Sequence, residues 1–295
     1  MRIFRISPGL LAIARVAFAH EGEPLQPHDL WQAWAFDPGV VIPLLIAAAL
    51  FFRGAKRSRG VTLTQFACFW IGWAILALAL VSPLHPLGEA LFSAHMTQHE
   101  LLMVAAAPLL VLSRPLVPML WGLPYDWRRA LGQWSKRKGP QAVWRVLTDP
   151  MSAWWIHAAA LWLWHVPALF QATLENEWIH AAQHLSFFGS ALLFWWSLFY
   201  ARGRANYGAG VLYIFTTAVH TSILGALLTF ATTVWYPAYT STTKPWGLTP
   251  LEDQQLGGLI MWIPAAVVYL CAGLWMFALW LRASDLTAQG REYAR

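Results

Sequence analysis

HMTQHELLMVAAAPLLVLSRP, residues 95–115, opens with two histidines four apart, runs from Leu101 to Leu112 without a charge, and reaches a basic residue at Arg114. A spacing of four puts both imidazoles on one face of a helix, about 6 Å apart along its axis. With Leu91–Ala94 in front, the apolar segment covers 91–112, close to the roughly 20 residues that cross a hydrocarbon core. Ionisable side chains in such a helix are costly, and their presence points to function.

The rest of the chain repeats this pattern. Of 295 residues, 58% are hydrophobic and 12% charged, whereas about a quarter of a soluble domain is charged. Seven apolar runs are read as spans: 34–53, 62–82, 91–112, 151–171, 178–200, 208–232 and 257–281. The first has the shortest uninterrupted core, Val40 to Phe52. The fold expected is all-α, a polytopic membrane protein of about seven transmembrane helices.

Loop charges orient it, because Lys and Arg concentrate on cytoplasmic loops. Sixteen of the 20 basic residues fall on alternate connections: Arg53–Arg59, Arg114–Arg145, Arg202 and Arg204, and the tail from Arg282. The opposite connections carry Lys244 with Glu89, Glu175, Glu177, Glu252 and Asp253. This places the amino terminus outside and the carboxyl terminus in the cytoplasm. The sequence pI near 9.6 follows from that asymmetry and implies no nucleic-acid partner. Residues 1–33 are an extracytoplasmic segment or a signal peptide ending at Ala17-Phe18-Ala19, 34–281 the membrane domain, and 282–295 a cytoplasmic tail. Cleavage after Ala19 would make His20 the amino terminus.

In the longest cytoplasmic connection, Trp127, Ala130, Leu131 and Trp134 recur at helical spacing among Arg128, Arg129, Lys136 and Arg137. That pattern fits a short helix lying on anionic membrane lipid. Cys68 and Cys271 form no CxxC pair and read as small buried residues.

A second HxxxH pair, His180 and His184, opens the fifth span as His95 and His99 open the third. The fourth span runs outward and brings His165 to about 9 Å below its outer end. His85, His20 and His28 lie outside the membrane on the same side, while His220 and His157 lie deeper. Met103 continues the first histidine stripe, with Glu100, Gln98 and Gln183 at similar height. Asp253 and Gln254 lead into the seventh span, where Met261 lies two turns in. Imidazole with thioether favours copper, Cu(I) above all, and imidazole alone also accepts zinc or iron. Carboxylates and amides beside metal-bound imidazoles fix the ring tautomer. The competing reading takes single histidines as interfacial anchors and the methionines as core filler.

Three stretches, HMTQHELLMVAAAPLLVLSRP (His95–Pro115), LWLWHVPALFQATLENEWIHAAQHLSFFGSALLFWW (Leu161–Trp196) and TPLEDQQLGGLIMWIP (Thr249–Pro264), resemble the CtaG-type cytochrome c oxidase assembly factors of bacteria. The resemblance implies a multi-pass protein of the bacterial inner membrane, needed for maturation of haem–copper oxidase by supply of copper to its catalytic subunit. Periplasmic copper carriers are the expected upstream partners. Carried over residue by residue, the metal site is His95, His99, His165, His180 and His184. Met103, Glu100, Asp253, Gln254, Met261 and His220 are candidates for further ligands or for support. Two other classes stay open: a cytochrome with haem held axially by facing histidines, and a copper transporter using His157 and His220. No nucleophile constellation, phosphate loop or nicotinamide motif appears, so no enzymatic activity is expected.

Overall fold

The computed structural model describes residues 25–58, 60–201 and 207–292, and all side chains among these except those of 201 and 285–292. The signal-like segment with His20, and the basic residues Arg59, Arg202, Arg204 and Arg295, lie outside the described residues. Those described are helical with no strands.

Helices α1 (Pro38–Arg57) and α2 (Leu63–Val81) come first. Asp37 caps α1 by accepting from Gly39 N, and Thr62 with Gln65 forms a capping box on α2. A short α3 (Leu84–Ala90) leads into α4 (Phe92–Glu100), which continues through a π-helical turn (Leu101–Ala106) into α5 (Ala107–Leu112). At Arg114 the backbone takes a φ of 50°, and α6 (Leu116–Gly122) leaves at 69° to the helix before it. Close backbone contact docks α6 on α1: a Cβ on Gly122 would stand 2.2 Å from the Leu50 carbonyl oxygen. Then come α7 (Tyr125–Ser135) and α8 (Lys138–Leu147), neither of which buries a residue.

The expected fourth span is not one helix. Pro167 offers no N–H and disfavours helix at the residue before it, so α9 (Pro150–Trp164) stops at His165 and α10 (Pro167–Glu175) starts anew. Asn176 caps α11 (Glu177–Trp196), then α12 (Tyr207–Thr229) runs antiparallel to α13 (Pro250–Glu292). The lead-in Thr249–Gln255 is mostly helix, because the Thr249 hydroxyl accepts from Glu252 N while Glu252 accepts from Thr249 N.

Four of these helices, α1, α2, α12 and α13, are long and apolar enough to cross a membrane, and five if the bent pair α4–α6 is one span. Their outer faces match. Leu212, Phe215, Val219 and Ile223 on α12, and Ile263, Val267, Leu270 and Leu274 on α13, form exposed stripes at helical spacing. Water would not tolerate such stripes, but hydrocarbon does. Inside, Phe187, Phe194, Trp195, Tyr213 and Tyr269 build the main core, and Phe92, Phe170, Tyr236 and Tyr239 a second one at the histidine end. The cysteines depart from expectation: Cys68 is half-buried and Cys271 exposed on its helix.

Candidate metal centre

Two capping interactions set the height and rotation of the histidine helices. The Asn176 side chain accepts from Trp178 N and Ile179 N, so His180 falls in the first turn of α11 and His184 in the next. On α4, the first free N–H groups are satisfied by a residue 160 positions away: Asp253 accepts from Phe92 N at 2.6 Å and from Ser93 N at 3.1 Å. His95 and His99 follow on the next two turns.

The two pairs face each other. His95 and His99 lie 4.4 Å apart by ring centroids, as do His180 and His184, and across the interface His95–His180 and His99–His184 are both 5.2 Å. One nitrogen from each of His95, His99 and His184 lies within 4.8 Å of the other two. His85, from α3, forms a second such group with His180 and His184, its ring stacked on His180 at 5.3 Å. His95 and His99 are fully buried, whereas His85 is half-buried. Five imidazoles thus make two triads that share His184.

What surrounds them is apolar or already committed. Phe170 packs on His95 and Phe187 on His99. Nδ1 of His95 lies 3.3 Å from the Gly88 carbonyl oxygen, which can only accept, so the ring proton belongs there and Nε2 keeps its lone pair. Gln183 Oε1 lies 3.2 Å from that Nε2, while the amide Nε2 of Gln183 has no partner. A half-turn of the amide supplies the missing donor. Both nitrogens of His99, and Nε2 of His180 and of His184, are buried without a hydrogen-bond partner. Each such group forfeits about 1–3 kcal/mol. Each triad thus joins two rings with orphaned nitrogens, His184 with His99 or with His180, to one hydrogen-bonded ring, and such a convergence fits a cation.

His165 is adjacent but in neither triad. Its Nδ1–H donates to Leu161 O at 2.6 Å, its carbonyl accepts from Tyr236, and Nε2 is buried without a partner. It shares contact with Phe187, 6.0 Å from its ring, with His99. Other candidates are elsewhere. Met103 and Met261 pack in the two apolar cores. Asp253 and Gln254 bind backbone, the latter accepting from Trp235 N and donating to Thr233 O. The Glu100 Oε2 is buried without a partner where the π-helical turn begins, and His220 packs edge-on against Trp154, outside both triads. His157 bonds to Ser190.

His85 joins the site without a spacing signal of its own in the sequence, because no second imidazole stands at helical spacing from it. Its level with the other outer histidines is the available signal. Near it, Glu89 has its carboxyl pKa raised by desolvation and by the neighbouring charge of Glu177. The two carboxylates stand about one turn from His85 and His180 respectively.

Residues 46–283, from α1 into α13 and including both triads, match the family described as cytochrome c oxidase caa3 assembly factor (Caa3_CtaG). The chain belongs to this family. Among curated proteins, an uncharacterized protein of Mycobacterium bovis is 27% identical over 241 residues, which is 78% of this chain and 36% of its own length. One of Mycobacterium leprae is 23% identical over 272 residues, 86% of this chain and 40% of its own length. This caa3 assembly factor family member therefore spans well under half the length of the curated relatives it matches. No solved structure matches it. It is a helical membrane protein with mycobacterial relatives, in a family that assembles cytochrome c oxidase.

Proposed function

We propose that this chain is a non-enzymatic copper chaperone of oxidase assembly, holding Cu(I) as cargo on His95, His99 and His184 and passing it to the oxidase catalytic subunit. The observation that carries the reading is the convergence of three buried rings, of which His99 and His184 hold unpartnered nitrogens and His95 turns its Nε2 to the Gln183 amide alone. The ion's charge decides between metals here, since no thioether joins the triads. Three neutral imidazoles around a monovalent ion leave one net charge in an apolar surrounding, and around zinc they would leave two, at a steeply higher desolvation cost. The rings pack on one another at 4.4–6.0 Å with Phe170 and Phe187 against them. That close packing suits a single ion rather than a macrocycle slotted between axial ligands.

The membrane setting completes the proposal. Seven spans in a bacterial inner membrane, amino terminus outside, would put the triads in the extracytoplasmic half of the bilayer. There, copper arriving from a periplasmic carrier could move sideways to an oxidase centre at similar depth by ligand exchange. In this reading the broken helix α9–α10 and the 20-residue α11 would be the two further spans.

The test is a strain whose only copy carries His95→Ala and His99→Ala. Oxidase copper content and activity, measured against the abundance of the variant in the same membranes, should fall severely while abundance stays within about twofold. Normal oxidase copper would remove these histidines from the mechanism.

A further inference from the structure

We infer that His85, His180 and His184 form a receiving position for the same ion, from which it moves to His95, His99 and His184 by exchange around the shared His184. The inference rests on the proposed copper site and adds its direction and its intermediate. Three observations carry it. The two triads have one ligand in common, and the donor atoms of each lie within 4.8 Å of one another. Accessibility falls along the path, from half-buried His85 to His95 and His99, at 0% and 1% exposure. Glu89 lies one helical turn along α3 from His85 and Glu177 one turn along α11 from His180, which puts carboxylates, attractive to a cation, on both helices that supply the accessible triad.

The step is a ligand substitution. Bonds from copper to His85 and His180 break as bonds to His95 and His99 form, with His184 attached throughout. Copper keeps its oxidation state, and no proton leaves the protein. His85 needs one local adjustment. Gln98 donates through Nε2 to Ala79 O at 2.7 Å and to Nδ1 of His85 at 3.0 Å, which leaves the His85 proton on Nε2. The Oε1 atom of Gln98 is buried with no partner. When the Gln98 side chain swings so that Nε2 keeps the Ala79 carbonyl and Oε1 moves onto His85, that oxygen accepts an Nδ1–H, the ring changes tautomer, and Nε2 of His85 is released to bind copper. The Ala79 carbonyl is open to this partner because the residue four on, Pro83, has no N–H. Gln98 thereby links the span below to the readiness of the first ligand.

The experiment uses the full chain in lipid nanodiscs, offered Cu(I) as its coloured bicinchoninate complex and followed by stopped-flow absorbance. Wild type should take one copper per chain. His85→Ala should reach the same occupancy with affinity within about threefold, yet take copper up about tenfold more slowly. His99→Ala should show the reverse, a wild-type initial rate with affinity lowered about tenfold or more. His85→Gln, which keeps a polar group against Gln98, guards against loss of fold and should also be slow. His85→Cys, restoring a soft donor, should recover the rate. Uptake by folded His85→Ala and His85→Gln at the wild-type rate would overturn the receiving position, as would two coppers per chain. A wild-type chain that took no copper would overturn the underlying proposal instead, so the two failures are distinct.

Discussion

The carbonyl oxygen of Gly88 stands 3.3 Å from Nδ1 of His95 and accepts a second hydrogen bond, at 2.9 Å, from the Tyr239 hydroxyl. Backbone thus sets the tautomer of a buried ring, the arrangement that metal-binding histidines require of their surroundings. Contact this close needs a residue without a side chain. A Cβ on Gly88 would meet His95 Cα at 3.2 Å and Cβ at 3.5 Å. Gly88→Ala is expected to push α3 off α4, costing about 1–3 kcal/mol of stability and lowering Cu(I) affinity about tenfold. Chelator competition on the purified variant, beside its melting curve, checks both. An unchanged affinity with lowered stability would show that the Gly88 carbonyl does not orient His95.

Asp253 acts on the same helix from the other side. Its carboxylate accepts from two backbone N–H groups of α4 and from the Ser93 hydroxyl, and it is fully buried. Removing it leaves those donors unpaired, so Asp253→Ala should cost about 3 kcal/mol or more. Asp253→Asn retains one acceptor oxygen and should cost less. Since Asp253 touches no imidazole, whichever variant folds should bind copper with near-normal stoichiometry. Loss of one full copper equivalent from a well-folded Asp253→Asn chain would make it a ligand.

Much of this fold could be read in the sequence, because hydropathy and HxxxH spacing are local. The apolar runs mark helices, and the two histidine pairs lie where the runs begin. A proline at 167 permits a break, but that it ends α9 at His165, and so turns His165 toward Leu161 O, depends on how α10 packs. Pairing of distant residues was not legible. Nothing near Thr249–Gln255 says that Asp253 caps α4 while Gln254 and Gln255 tie down the strap at 231–235. His85 is illegible for the same reason: its partners are 95 and 99 residues further on. Met103 aligned with the histidines by periodicity, yet its side chain joins the apolar core, where its carbonyl also receives Trp195 Nε1. A helical stripe wide enough to hold His95 and Met103 need not face one neighbour throughout.

The connection α7–α8 should rest on anionic lipid at the cytoplasmic face. Trp127, Leu131 and Trp134 on α7, and Val143, Trp144 and Val146 on α8, are exposed, with Arg128, Arg129, Lys136, Arg137, Lys138 and Arg145 on the same two helices or between them. Arg128 also stacks over Trp121 at 4.2 Å. A polarity-sensitive dye on Leu131→Cys should report an apolar setting in vesicles with phosphatidylglycerol. Changing Arg128, Arg129 and Arg137 to Gln should weaken that insertion by about 1 kcal/mol per charge. In right-side-out vesicles, impermeant thiol reagent should reach Glu177→Cys and miss Arg137→Cys. Equal labelling of both would overturn the seven-span topology.

His99 offers a test that separates stability from metal binding. Both its nitrogens are buried without partners, and its ring is walled by Phe187, His95 and His184. Without metal such a residue is a liability, because it has left water and gained no hydrogen bond in return. A leucine of similar volume removes the polar atoms and opens little cavity. His99→Leu is therefore expected to raise the stability of the metal-free protein by about 1–3 kcal/mol while lowering copper affinity about tenfold or more. Copper should stabilise wild type by RT ln(1 + [L]/Kd), and the variant by at least about 1.4 kcal/mol less at the same saturating free copper. Thermal melting of metal-free and copper-loaded chains, each compared with wild type, gives all four values. If His99→Leu destabilises the metal-free chain by as much as a cavity-forming change, the ring has a packing role and its nitrogens are not waiting for a ligand. If the variant is more stable but still gains as much from copper as wild type, the ion is held elsewhere. A chain that is stabilised by losing a buried imidazole, and gains less from copper without it, keeps that imidazole for the metal.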